Sequence, residues 1–112
     1  MEAYFADLLM EKGIHYEREY TFEDLSDVNP LRFDYALYLN DKMILVELDG
    51  EQHQKDFKPT ERFTREKLDL LHKHDDMKDK YCLQHGIKLY RLSYTRSEDK
   101  IVSFLNNILR EN

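Results

Sequence analysis

The sequence predicts one α/β domain, a mixed central sheet flanked by helices in the order helix, three-strand meander, helix, strand, helix. Apolar residues recur at helical spacing near both ends and in the middle of the chain, and β-type runs fill the segments between them. The 112 residues, of which 41% are hydrophobic, suffice for one compact core and not for a second domain of useful size. Residues 1–112 are therefore expected to form a single domain.

The first helix is predicted over residues 2–12. Phe5, Leu8 and Leu9 fall on one stripe of this helix, and Gly13 is a natural C-terminal breaker. Glu2 lies three residues before Phe5 and seven before Leu9. At a turn of about 100° per residue, this spacing places Glu2 on the inner face of the helix and not on its solvent face.

Three strands are predicted to follow the first helix. The run HYEREYTF forms the first strand, LRFDYALYL the second and MILVEL the third. Charged residues alternate with aromatic and aliphatic ones in the first two runs, whereas the third is almost continuously apolar. A loop is expected from Asp24 to Pro30, between the first and second strands.

The connection between the second and third strands predicts their register. Asn40 and Asp41 both tolerate positive φ and suit a two-residue hairpin loop. That register sets Asp34 directly opposite Glu47, with the two side chains on the same face of the sheet. A three-residue loop is the alternative and would set Leu48 opposite Asp34.

A second helix is expected from a cap at Thr60 to about His85, before the breaker Gly86. Asp75 falls on its apolar stripe, which is formed by Leu68, Leu71 and Cys82. A second apolar stripe on the same segment leaves open a break near His74. The run IKLYRLSY is the fourth strand, and an amphipathic helix closes the chain.

Four elements thus each offer an acid to one place: Glu2, Asp34, Glu47 with Asp49, and Asp75. Carboxylates that converge in this way require a cation. Oxygen ligands on adjacent strands suit Mg²⁺, with Mn²⁺ as a substitute, so Asp34 and Glu47 are the predicted metal ligands. A zinc site built from His72, His74, Asp75 and Cys82 is less well supported, because one cysteine and a His-x-His pair do not present tetrahedral ligands convincingly.

His53, three residues after Gly50, could serve as a general base or acid near such a metal, because the unperturbed pKa of histidine lies close to neutral pH. The alternative is an ordinary loop histidine. Asp49-Gly50 could likewise be no more than a turn.

Net charge and cysteine content narrow the function classes. A formal charge of −6 argues against a domain that holds nucleic acid by bulk electrostatics. The segment KDFKPTERFTREK, from Lys55 to Lys67, is mildly basic and on composition alone reads as a solvated helix start. The single cysteine excludes an intramolecular disulfide, and the apolar runs are too short to cross a membrane, so a reducing cytoplasmic setting is expected.

The runs RFDYALYL, MILVELDGEQH and HDDMKDKYCLQHGIKLYRLSY resemble the PD-(D/E)XK restriction-endonuclease-like superfamily. Within it, the chain is most similar to very-short-patch-repair-type nucleases and to the EDxHD phage homing endonucleases. The resemblance covers nearly the whole chain. It implies a core of a helix, three strands, a helix and a strand, which agrees with the pattern read from the residues.

The resemblance implies roles for five residues: Glu2 as the first-helix acid, Asp34 as the metal ligand of the second strand, Glu47 or the main chain beside it as the third-strand position, His53 as the histidine that assists the attacking water, and Asp75 as the acid of the following helix. The lysine of the third-strand motif is absent, because Asp49 occupies its place. Lys78, one turn after Asp75, is a candidate substitute.

The implied activity is Mg²⁺-dependent hydrolysis of phosphodiester bonds in double-stranded DNA. The domain is expected to be the catalytic part of a phage homing endonuclease that acts in the host cytoplasm, cut from a longer protein with a separate DNA-recognition region, and to form a homo-oligomer for double-strand cleavage. The basic segment would then touch phosphates through Lys55, Lys58, Arg62 and Arg65. Two alternatives remain: a catalytically inactive nuclease fold that binds nucleic acid, and a protein-interaction module that uses the tyrosine-rich strands.

Overall fold

The computed structural model describes residues 1–54 and 56–112, and its helices and strands follow the predicted order. They are α1 (Glu2–Glu11), β1 (His15–Asp27), β2 (Asn29–Leu39), β3 (Lys42–Asp49), α2 (Arg65–His85), β4 (Lys88–Ser93) and α3 (Glu98–Glu111), with a short 3₁₀ turn at Glu51–His53 between β3 and α2. The protein is an α/β domain with three helices and a four-stranded mixed sheet. Within these ranges no helix is long and apolar enough to span a bilayer.

The strand order is β1-β2-β3-β4. The first three strands form an antiparallel meander, whereas β4 runs parallel to β3 and is reached through α2. Because β3 and β4 are parallel, their carboxyl ends lie at the same edge of the sheet. The 3₁₀ turn that carries His53 begins two residues after β3 ends, so this edge gathers side chains from several elements.

The two faces of the sheet are covered by different helices. Helices α1 and α3 bury the face that carries Tyr35, Leu37 and Val46, which are fully removed from solvent. Helix α2 packs on the opposite face through Tyr81 and Cys82. Full burial of a large apolar side chain stabilises the fold by roughly 1.5–3 kcal/mol. Helices on both faces of the sheet therefore stabilise the central strands.

The predicted hairpin between β2 and β3 is confirmed. Asn40 and Asp41 have φ of 50° and 63°, and the pairing begins at Leu39 with Lys42. The same register continues inward to Tyr35 opposite Val46. It excludes the three-residue loop.

The predicted loop from Asp24 to Pro30 is wrong. Strand β1 continues to Asp27 and β2 begins at Asn29, so that only Val28 separates the two strands. The register between β1 and β2 shifts between Thr21 and Ser26, and pairing then resumes at Ser26 with Pro30. Leu25 and Leu31 are buried against the α2 side of the sheet, which holds this extension in place.

The predicted start of the second helix is also wrong. Thr64 caps α2 by accepting a hydrogen bond from the backbone N–H of Lys67 at 3.3 Å. Thr60 instead accepts from the N–H of Phe63 in a turn that precedes the helix. Helix α2 is continuous through His74, and Gly86 ends it with a φ of 66°, as the breaker signal predicts.

Candidate active site

Residues from β2, β3, β4, the 3₁₀ turn and α2 form a cluster of charged side chains at the carboxyl ends of β3 and β4. Alternation along β3 directs Glu47 and Asp49 to the side of the sheet covered by α2. Glu47 is only 4% exposed, an unusual position for a carboxylate without partners. The cluster therefore requires compensating charges and hydrogen bonds.

Asp34 and Glu47 are joined across the β2–β3 hairpin by main-chain groups. The N–H of Leu48 donates to Asp34 Oδ2 at 2.7 Å, and the N–H of Asp34 donates to Glu47 Oε1 at 3.2 Å. These are the positions that the two-residue hairpin loop brings opposite each other. Each carboxylate therefore has a fixed orientation.

Lys78 supplies the nearest positive charge. Its Nζ lies 3.2 Å from Glu47 Oε1, and 5.3 Å from the centroid of the Phe33 ring. Burial raises the pKa of Glu47 to about 7, since the attraction of Lys78 only partly opposes it and the charge of Asp34 adds to it. Burial also raises the pKa of Asp34, against the hydrogen bond from Leu48.

His53 and Asp75 form a second pair beside the first. His53 Nδ1 lies 2.8 Å from Asp75 Oδ2 and 3.7 Å from Asp49 Oδ1. The 3₁₀ turn holds the histidine there through a hydrogen bond from its N–H to the carbonyl of Gly50. The hydrogen bond with Asp75 raises the pKa of His53 despite burial. For Asp75, burial works to raise the pKa, but the hydrogen bond and charge of His53, with Arg91, outweigh it and lower the value.

Arg91 is a part of the cluster that sequence reasoning missed. Its Nη1 lies 3.3 Å from both carboxylate oxygens of Asp49 and 3.6 Å from Asp75 Oδ1, and its Nη2 lies 3.0 Å from Asp79 Oδ1. The parallel register sets Arg91 beside Glu47. Leu89 packs on the α2 side of the sheet, and Arg91, two residues later on the same strand, lies on the same face. This alternation was the one signal in the sequence that could have placed Arg91 near Asp75.

Glu2 lies at the margin of the cluster, and the prediction that it faces inward is wrong. Its side chain is 52% exposed and its Oε1 is 3.8 Å from Arg18 Nη2. Its main-chain carbonyl accepts a hydrogen bond from the hydroxyl of Tyr35. As the first residue of α1, it has no preceding helical turn to press it against the sheet. Its negative charge still contributes to the raised pKa of Asp34.

Three of the four predicted DNA contacts lie on the loop before α2 or on the first residue of this helix. Lys58, Arg62 and Arg65 are exposed, whereas Lys55 lies outside the described residues. The Arg62 guanidinium lies over the Phe63 ring, 5.6 Å from its centroid. Most of this segment is therefore loop, not the helix start that its composition indicates.

The chemistry of the donor set suits a hard divalent cation. In the part of the chain that the structure describes, no three His, Cys, Asp or Glu side chains are grouped to hold a metal ion. Asp34 and Glu47 supply two carboxylates whose pKa values are both raised by burial, and Mg²⁺ is commonly held by one or two carboxylates with water in its other positions. The zinc alternative fares worse, because His74 is bonded to Asp27 and Cys82 is buried against the sheet.

A scan against protein-family models, a search of curated proteins and a search of solved structures each found no match to this chain. Its function is therefore inferred from its own residues.

Proposed function

We propose that the domain is a Mg²⁺-dependent endonuclease that hydrolyses phosphodiester bonds in double-stranded DNA, and that its sheet and helices form a restriction-endonuclease-like core. One observation carries the proposal. Two carboxylates on adjacent strands, Asp34 and Glu47, lie against a buried lysine and next to a His53–Asp75 pair. Such groups shift one another's pKa, which is typical of catalytic sites.

Asp34 and Glu47 are the residues that would hold the divalent ion, which supplies Lewis-acid polarisation of the scissile phosphate and offsets the charge that develops there. Their orientation is set before any ion binds, since backbone N–H groups hold one oxygen of each carboxylate. A site prepared in this way loses little entropy on binding.

His53 would accept a proton from the attacking water. Its Nδ1 is bonded to Asp75, which favours the tautomer with the proton on Nδ1 and leaves Nε2 free of that proton. Asp75 is thus an orienting group and a stabiliser of the protonated ring. This is the division of labour between a base and its carboxylate partner in other hydrolases.

Lys78 would take the part of the motif lysine whose place Asp49 occupies. Its ammonium group approaches Glu47 from α2, not from β3, and its charge also acts to lower the pKa of Asp34. There it can stabilise negative charge on the phosphate. The proposal extends to a homing-endonuclease-type catalytic domain of phage origin that is active in the host cytoplasm as a homo-oligomer on double-stranded DNA.

The test is cleavage of supercoiled plasmid by the wild type and by Asp34→Asn, in Mg²⁺ and in EDTA. We expect the wild type to nick or linearise plasmid only with Mg²⁺, and Asp34→Asn to lose at least about 10²-fold in rate because a metal ligand is gone. Asp41→Asn is the matched control, since Asp41 lies at the exposed hairpin tip. Activity of Asp34→Asn within a few-fold of the wild type would reject the assignment. DNA binding without Mg²⁺-dependent cleavage would favour the inactive binding module.

A further inference from the structure

Two pockets flank the His53–Asp75 pair, and both residues line each of them. The larger, here called the groove, has a volume of about 400 Å³ and lies between the β1–β2 turn and α2. The smaller, here called the acidic pocket, has a volume of about 190 Å³ and lies towards β4. A substrate could approach the pair from either side.

Charge distinguishes the two pockets. Four aspartates line the acidic pocket against one arginine: Asp49, Asp75, Asp76 and Asp79, with Arg91. Two aspartates, Asp27 and Asp75, line the groove together with Arg32 and Lys78. Asp27 is itself compensated, because Lys73 lies at 3.2 Å and His74 at 2.9 Å from its Oδ2. A phosphate backbone is repelled by the first pocket and not by the second.

The groove also presents apolar groups to solvent. Leu70 on α2 is 48% exposed, and Val28 at the tip of the β1–β2 turn is 99% exposed. Val28 has a φ of 67°, which is strained for a β-branched residue, and its nearly complete exposure leaves little packing to offset that cost. Backbone strain of this kind clusters at active sites, ligand clamps and switch regions. Arg32, two residues after Pro30, forms no ion pair among the described residues.

We propose that the groove binds the DNA strand that carries the scissile phosphate, with one nucleotide seated between the β1–β2 turn and α2. Arg32 contacts its phosphate, and Leu70 and Val28 contact its sugar and base. A volume of about 400 Å³ suits a ligand of nucleotide size. This inference rests on the proposed function, since it places the substrate of that same site on one side of His53.

The test compares one substitution at two positions of α2. Leu70→Glu adds a negative charge at the groove, whereas Leu83→Glu adds the same charge at a leucine that is 84% exposed and lines neither pocket. Binding is measured by fluorescence anisotropy of a short labelled duplex of mixed sequence in Ca²⁺. We expect Leu70→Glu to weaken binding about tenfold and Leu83→Glu less than about twofold. Melting temperatures check that both variants are folded.

Arg32→Gln is a second variant that does not depend on the leucines. It should lower the slope of log affinity against log salt by about one, and Arg110→Gln, on α3, should leave the slope unchanged. Equal affinities of the two leucine variants, an unchanged slope for Arg32→Gln, or no binding by the wild type would each overturn the inference.

Plasmid cleavage separates the two proposals. If the wild type cleaves plasmid and the two leucine variants bind DNA equally well, only the groove inference fails. If the groove variants lose DNA binding but the wild type does not cleave plasmid, only the nuclease proposal fails.

Discussion

Glu47 is a buried carboxylate at a position where an apolar side chain would stabilise the fold more. Its carboxylate is buried and accepts hydrogen bonds from Lys78 and from the backbone of Asp34, yet burial holds its pKa near neutral pH. A buried carboxylate of this kind destabilises the fold when it is ionised without a full complement of positive charge. Such a residue is expected in a protein that has another use for it, such as binding a cation.

Without metal, the stability of the protein should depend on the protonation of Glu47. Folding raises the pKa of Glu47 from 4.5 to about 7, so the folded state binds more protons than the unfolded state between these values. The free energy of unfolding should therefore fall by about 3 kcal/mol as pH rises through this window. The raised pKa values of Asp34 and His53 act in the same direction. Urea unfolding in EDTA at about pH 5 and about pH 8 measures the difference.

Glu47→Gln should remove most of that pH dependence, because the glutamine does not titrate. Glu11→Gln, an exposed change on α1, should leave it intact. The lowered pKa of Asp75 and of Asp27 affects stability only below about pH 4, outside this window. A wild type that gains stability on going from about pH 5 to about pH 8 would contradict the prediction.

His53 should act in the chemical step and not in DNA binding. His53→Ala should slow single-turnover cleavage by about 10²- to 10⁴-fold while DNA affinity changes little. In the wild type, the cleavage rate should increase with pH as His53 loses its proton. The midpoint of this increase should lie above pH 6.5, because the hydrogen bond with Asp75 raises the pKa of His53. Asp75→Asn should move that midpoint down. His15→Ala, at the start of β1, is the control, and an unchanged rate for His53→Ala would leave the histidine as a structural residue.

At the scale of elements, short sequence signals predicted those features that depend only on neighbouring residues. Asn40 and Asp41 predicted the hairpin, and from it the neighbouring positions of Asp34 and Glu47. The start of α2 was missed because Thr60 and Thr64 are both suitable helix caps by residue type. In the structure, Thr60 caps the turn that precedes the helix and Thr64 caps the helix itself. Arg91 was missed because its partners lie on β3 and α2, and no local pattern gives the register of β4 against β3.

Exposed basic side chains lie on the loop before α2 and on the first residue of this helix. If the exposed side chains of Lys58, Arg62 and Arg65 contact phosphates, neutralising a true contact to glutamine should lower the slope of log affinity against log salt by about one. Lys12→Gln, at the end of α1, provides a comparison of equal charge change. Three single variants with unaltered slopes would show that this loop is only a solvated surface. Arg62→Gln also removes the contact of the guanidinium with the Phe63 ring.

At the scale of the whole molecule, the sheet topology explains why the acids meet. The meander brings Asp34 beside Glu47, and the parallel crossover through α2 then lays Asp75 and Lys78 over the same edge. Element order and the central sheet could be predicted from apolar periodicity. The sequence predicted that the acids of different elements meet but not which of them enter the cluster. Glu2 was misplaced because it is the first residue of α1, where no preceding helical turn presses its side chain against the sheet.

Metal binding should stabilise the entire domain, even when no substrate is present. A metal ion that binds the folded protein and not the dispersed acids of the unfolded chain raises the free energy of unfolding by mass action, about 2.7 kcal/mol at a hundred times the dissociation constant. Titration with Mg²⁺ or Mn²⁺ should therefore raise the melting temperature, and the rise should continue logarithmically at higher metal concentrations. Differential scanning calorimetry from EDTA upwards measures it.

Asp34→Asn removes one ligand and one repelling charge together. It should equal or exceed the wild type in stability in EDTA, because burial and the charge of Glu2 disfavour ionised Asp34, and it should lose most of the metal-induced rise. Asp41→Asn should keep that rise. Screening by salt predicts a different outcome, since NaCl at equal ionic strength would then reproduce the effect in both proteins. If NaCl matches Mg²⁺, or if Asp34→Asn retains the full shift, Asp34 and Glu47 do not bind a metal and the nuclease proposal loses its physical basis.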